Sequence, residues 1–177
     1  IPPAERKALV APVERAMAAG IPVTVFDSGL ESTNYVSYVA TDNVEAGRIA
    51  ARKLAELIGG KGTAAIVMHA PGSASTMDRE QGFLSTIEKE FPNIKIVATQ
   101  YGMSDRAKSL SAAENILTAH PDLDGIFASS EPSSVGASLA IKARQLSDKV
   151  VLVAFDSSES MVQDLREGSI DAMVVQD

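Results

Sequence analysis

The sequence predicts an α/β fold, a parallel sheet flanked by helices in three α/β/α layers. Three observations carry that prediction. Runs such as Pro22-Val-Thr-Val-Phe26, Gly125-Ile-Phe-Ala128 and Val150-Val-Leu-Val-Ala-Phe155 are continuously apolar, as strands buried on both faces are. Stretches of helical periodicity, roughly 10–15 residues each, separate these runs and mark βαβ units. Finally, five runs end on polar residues: Asp27, Asp42-Asn43, Ser129-Ser130-Glu131, Asp156 and Gln176. In open α/β sheets the ligand lies beyond the carboxyl ends of the strands, so the sequence places a row of hydrogen-bonding side chains along one rim.

A helix is expected over 4–19, from Leu9, Val13, Ala16 and Met17 at helical spacing with Gly20 as its stop. Pro12 inside it either kinks the helix or delays its start. A strand follows at 22–26, then the turn-rich Asp27-Ser-Gly-Leu-Glu-Ser-Thr-Asn34, then a strand at 35–41. Asn43 is expected to cap a helix running to about residue 58, with Ile49, Leu54, Leu57 and Ile58 inward. Beyond Gly59-Gly-Lys-Gly62 the alternation is regular. Strands are expected at 64–68, 95–99, 125–128, 150–155 and 170–175, and helices at 75–90, 105–119, 133–145 and 158–167.

Composition narrows the function classes. With 45% apolar and 22% charged residues the 177-residue chain is that of a globular protein, and no apolar stretch reaches the roughly 20 residues that span a bilayer. A net charge of −7, with basic residues scattered, argues against nucleic-acid binding. No cysteine is present, which removes disulfides, thiolate catalysis and cysteine-ligated metals. Ile1-Pro2-Pro3 offers no initiator Met or secretory signal, and Asp177 stands one residue beyond the last strand's polar end. The chain therefore reads as a fragment of a longer protein.

Catalytic and cofactor motifs are wanting. No G-x-S-x-G elbow occurs, and the two histidines lie apart in the sequence. His120 precedes Pro121 at a helix end, where a polar residue is routine, whereas His69 follows a strand and is placed to line a cleft. Two histidines without cysteine make no zinc set. Gly59-Gly-Lys-Gly-Thr63 echoes a phosphate loop, but it lies between helix and strand, when phosphate binding needs strand, loop, then helix N-terminus. No catalytic residue, metal or cofactor is therefore expected.

The rim residues fit sugar recognition better. Asp27, Asn43, Ser130, Asp156 and Gln176 offer directional hydrogen bonds to vicinal hydroxyls, although an Asp before a helix is also an ordinary N-cap. Arg79 falls early in a predicted helix, where a cation opposes the dipole. A planar fork on sugar hydroxyls explains that placement. So, more blandly, does a surface ion pair with Asp78 or Glu80.

A set of segments carries a family resemblance. They are Ala19-Gly-Ile-Pro-Val with Phe26-Asp27, Ala40-Thr-Asp-Asn43 with Ala46-Gly47, and Arg79-x-x-Gly82-Phe83. Leu117-Thr-Ala-His-Pro-Asp122, Gly125-Ile-Phe-Ala-Ser129 with Gly136-Ala137, Val153-Ala-Phe-Asp156 and Val175-Gln176 continue the series. In this order the chain resembles the periplasmic sugar-binding proteins of the ribose-binding type, which feed ABC transporters. The resemblance implies a Rossmann-like lobe and sugar contacts at Asp27, Asn43, Arg79, Asp156 and Gln176. Residues 1–41 would be the tail of a first lobe and 42–177 nearly all of a second, lacking the start of the first lobe and the C-terminal return. Ser28, Ser104 and Ser130 stand where ribose binders have Arg, an aromatic and Asn. These departures imply a roomier or differently shaped pocket, with Ser28 and Ser130 among the ligand-binding residues and Ser130 a specificity position, and they count against ribose itself.

The implied protein is a non-catalytic receptor, periplasmic or extracytoplasmic and lipid-anchored, a monomer that closes on a monosaccharide or small polyol and presents it to a membrane permease. It would bind no nucleic acid and insert no segment into the membrane. The same fold and segments are similar to the effector-binding core of LacI-type repressors, which carry an upstream helix-turn-helix. Leu117-Thr-Ala-His-Pro-Asp122, and Ser147-Asp148-Lys149 where repressors usually have Pro, favour the receptor. A hydrolase or kinase would need a base beside a nucleophile, which the sequence does not offer.

Overall fold

The computed structural model describes residues 3–176; Ile1, Pro2 and Asp177, at the ends of the two predicted lobe ranges, lie outside the described residues. Helix α1 spans Val10–Ala18. Its late start puts Pro12 in the first turn, where a missing N–H breaks no intrahelical bond. Pro12 thus delays the helix rather than kinking it. Strands β1 (Thr24–Phe26) and β2 (Ser37–Val39) are shorter than expected and pair in parallel as a sheet of their own, Phe26 opposite Val39.

Helix α2 spans Asn43–Leu57, and its cap corrects the sequence reading. Asp42 accepts a bond from the Glu45 N–H at 3.0 Å, so Asn43 becomes the first helical residue and its side chain is free for other work. The inward face differs too. Leu54 is buried and Ile58 packs partly on the core, but Ile49 and Leu57 are exposed. The buried stripe is Ala46, Gly47, Ala50, Ala51, Leu54 and Ala55, because close approach to a neighbouring helix selects for small side chains.

The second sheet contains β3 (Gly62–Met68), β4 (Ile94–Tyr101), β5 (Gly125–Ala128), β6 (Val151–Phe155) and β7 (Ala172–Val174). All its pairings are parallel, in the order β4-β3-β5-β6-β7. Helices α3 (Ala74–Glu90), α4 (Arg106–Ala119), α5 (Glu131–Ala143) and α6 (Glu159–Glu167) connect them. Alternate strand residues feed two cores. Ile66, Phe127, Val153 and Phe155 meet Leu54, Phe83 and Ile87 on one face, with Phe83 stacked on Phe127 at 4.4 Å. On the other, Val67, Ile126 and Leu152 meet Ile116, Ile141 and Met161. The predicted α/β/α layering is what the chain adopts. From β3 the chain crosses to β4 on one side, and from β5 it runs on to β6 and β7 on the other. The neighbouring ends of β3 and β5 are therefore the switch point where α/β sheets open a crevice.

Candidate functional site

The site begins with two glycines. Where α2 crosses α3, Gly47 faces the Arg79 carbonyl and Gly82 faces the Val44 carbonyl, and a Cβ at either would drive into that backbone. The crossing brings Asn43 of α2 to Arg79 of α3, whose Nη2 donates to Asn43 Oδ1 at 2.9 Å. Nη1 donates to the Ser129 carbonyl at 2.5 Å, and the guanidinium lies 3.3 Å over the Phe155 ring. Arg79 is 2% exposed, and its Nε has no hydrogen-bond partner among the described residues. Burial lowers its pKa to about 10, against the raising influence of Asp156, Asp27 and Glu80, so it remains a cation at neutral pH. The surface ion pair considered from sequence is not what holds it.

Glu80, its neighbour, is also buried, and sequence reasoning did not place it. Its Oε1 accepts the His69 N–H at 3.0 Å and the Ser129 hydroxyl at 2.7 Å, tying the ends of β3 and β5 together. Burial raises its pKa, opposed by those two bonds and by Arg79.

Around Arg79 opens a cavity of about 340 Å³ whose walls include Asp27, Ser28, Arg79, Ser130, Asp156 and Gln176. That volume lies within the roughly 300–1,000 Å³ of small-molecule sites. Asp156 stands where β6 meets the N-terminus of α5, its Oδ2 accepting the Glu131 N–H at 3.0 Å and its Oδ1 the Gln176 amide at 2.5 Å. Gln176 Oε1 accepts the Thr41 hydroxyl at 3.0 Å. Asp27 is exposed, and Ser28 is buried, its Oγ accepting the Ser75 N–H at 3.2 Å. Ser130 is the N-cap residue of α5, yet its side chain makes no capping bond.

Six of the seven candidate residues thus share one cavity. Asn43 does not line it: it is 5% exposed, bonded to Arg79 and, through Nδ2, to the Thr41 carbonyl at 3.1 Å. It acts by holding the guanidinium. Ser104 is exposed and outside the cavity wall as well. A larger hollow of about 710 Å³ shares Asp27 and Gln176 but is faced by exposed Phe26, Val39, Ile49 and Val175. The hydrogen-bonding groups converge in the smaller one, which is the candidate site.

His69 also lines that cavity and was absent from the candidate set. Its signal was available, since it is the polar residue ending the run at 64–68. Its Nδ1 lies 2.9 Å from Ser130 Oγ, a histidine beside a serine that the sequence did not bring together. Burial and Arg79 push the imidazole below its ordinary pKa, with Asp156 opposing. Among the described residues no group of three or more His, Cys, Asp or Glu is arranged to hold a metal, and no helix is long and apolar enough to cross a membrane.

Known proteins are similar to this chain in sequence and fold. The model of the periplasmic binding protein domain family matches residues 1–177. The ribose import binding protein RbsB of Bacillus subtilis is 30% identical over 176 residues, 99% of this chain and 56% of its own length. The D-apiose import binding protein of Actinobacillus succinogenes is 32% identical over 170 residues, 94% of this chain and 54% of its own. A solute-binding protein from Agrobacterium vitis with bound D-fucose superposes with a TM-score of 0.93 at 32% identity, covering 97% of this chain and 60% of that one. A carbohydrate transporter solute-binding protein from Agrobacterium radiobacter, in complex with D-arabinose, gives 0.89 at 36% identity, covering 94% and 58%. The chain spans a little over half the length of the curated relatives it matches.

Proposed function

The chain belongs to the periplasmic binding protein domain family, and from that premise we propose that its protein is an extracytoplasmic receptor for a monosaccharide or related small polyol. It binds the ligand between two lobes and presents it to the membrane permease of an ABC transporter, without chemical turnover. Residues 1–41 belong to the first lobe and 42–177 to the second. Closure of the lobes would be the signal the permease reads.

One observation carries the ligand class. Arg79, a buried cation, stands at the wall of a cavity that also holds Asp27 and Asp156. Its guanidinium has five N–H donors, of which the Ser129 carbonyl and Asn43 take two, leaving donors for a ligand oxygen. Two carboxylate acceptors beside one guanidinium donor suit a neutral polyol, each of whose hydroxyls both gives and takes a proton. An anionic ligand would meet both carboxylates. The relatives named above are import binding proteins, which supports a transport receptor over a repressor core.

The test is a thermal shift of the full-length protein against D-ribose, D-apiose, D-allose, D-arabinose, D-fucose and D-tagatose. A binder present at about 100 times its Kd adds about 2.7 kcal/mol of stability and raises Tm visibly. No shift with any of them would sink the reading.

A further inference from the structure

We propose that His69 is a specificity-determining ligand contact, its Nε2 accepting a hydrogen bond from a hydroxyl of the bound sugar; this rests on the receptor reading above. Ser133 Oγ donates to the Met68 carbonyl at 3.4 Å. Ser130 Oγ lies 3.1 Å from Ser133 Oγ, and His69 Nδ1 lies 2.9 Å from Ser130 Oγ. A hydroxyl has one proton to give. With that of Ser133 on the Met68 carbonyl, that of Ser130 goes to Ser133, and the proton between His69 and Ser130 comes from Nδ1. This is the assignment that fills all three bonds. The neutral ring then carries its lone pair on Nε2, which has no hydrogen-bond partner among the described residues.

With that assignment the pair is not arranged as nucleophile and base. An activated serine hands its proton to the histidine, whereas Ser130 receives one from it. A purely structural histidine would need only the Nδ1 bond, yet this ring also lines the cavity shared by Arg79, Asp27 and Asp156. The neutral imidazole adds an acceptor to the cavity wall without adding charge.

The charged groups around the ring set its pH behaviour. Arg79 and Glu80 approach from α3, Asp156 from the end of β6 and Asp27 from beyond β1, across the cavity. Protonation removes the lone pair and puts a second cation beside Arg79, only partly offset by Asp156. The imidazole titrates below its ordinary value of 6.5, so the neutral acceptor form is present at neutral pH and is lost below pH 6.5.

Isothermal titration of the full-length protein with the six sugars named above, in steps from about pH 7.5 down through the range below 6.5, follows that transition. For the best binder the wild type should lose about fivefold in affinity as the imidazole becomes protonated, the worth of one neutral hydrogen bond. His69→Phe, which keeps a ring but no acceptor, should bind about fivefold more weakly at about pH 7.5 and show a flat profile. Ring ¹⁵N spectra of the ligand-free wild type should show the proton on Nδ1, a readout that needs no variant to fold. A proton on Nε2, or a wild-type pH profile that His69→Phe reproduces at unchanged affinity, overturns the proposal while leaving the receptor standing. A panel without a binder overturns the receptor reading itself and this contact with it.

Discussion

Asp27 and Asp156 adopt the same backbone conformation at the same place in two different sheets. Each has φ of 68° and follows a phenylalanine that ends a strand. Each donates its N–H at 2.9 Å to the residue paired with that phenylalanine, Val39 for Asp27 and Val174 for Asp156. The left-handed region is unfavourable for most L-residues, and Asp and Asn enter it at least cost. A carboxylate is thereby turned off the strand end into the cavity from each sheet.

Asp156→Asn tests the carboxylate without disturbing that backbone. Asn tolerates the left-handed conformation, so Tm should change little, while loss of a charge-assisted bond should weaken sugar binding by about tenfold or more. Asp156→Ala should lower both, because Ala is strained at positive φ and leaves the Glu131 N–H without its acceptor. Titration calorimetry beside thermal melts separates the two outcomes. An Asp156→Asn protein that binds sugar as tightly as wild type would remove Asp156 from the site.

Gly82→Ala should separate α2 from α3. The added methyl meets the Val44 carbonyl, and relief requires moving a helix rather than a side chain. Overpacking of this kind costs about 1–3 kcal/mol, to be read from denaturant unfolding of the full-length protein. Because the same crossing brings Asn43 to Arg79, sugar affinity should fall with it, which a remote destabilisation would not do.

The sequence made the sheet and its polar rim readable because strand ends and loop residues obey local rules. Asp27, Ser130, Asp156 and Gln176 were found that way and Ser28 through the family resemblance, and all five share one cavity. Reading by local rules failed where tertiary packing decides. Ile49 has the hydrophobicity of a core residue but is exposed, because the α2–α3 approach admits only small side chains. Asn43 looked like a cap and a rim contact. It became a brace for Arg79 once Asp42 took the cap. Glu80 and the His69–Ser130 pair depend on β3 lying beside β5, which no spacing along the chain encodes.

Arg79→Lys keeps the charge and loses the fork. Lysine must serve Asn43, Ser129 and the ligand from one nitrogen without the fixed planar fork, and its ammonium is more strongly hydrated and harder to bury. Affinity for the bound sugar should drop by more than about tenfold, since geometric recognition by a planar donor set is lost. Calorimetry on variant and wild type, with circular dichroism to confirm the fold, measures it. Equal affinities would mean that the planar guanidinium is not what the ligand meets.

Glu80→Gln tests the tie between β3 and β5 through pH. The folded-state pKa of Glu80 is raised above 4.5 by burial, so the folded chain holds this proton more tightly than the unfolded chain does. By linkage, this group's contribution to stability is greatest on the acid side and falls as pH rises from 4.5 through the folded value. Gln has no such titration. The stability of Glu80→Gln minus that of wild type should therefore increase across that window and then level off. Asp171, also raised by burial, is present in both proteins and cancels in the difference. The Gln carbonyl can still accept from the His69 N–H and the Ser129 hydroxyl, so the ends of β3 and β5 stay together and the pH slope isolates the charge. Denaturant unfolding at a series of pH values measures the difference. A flat difference, or one that falls with pH, would show that Glu80 ionises in the fold as freely as in the unfolded chain.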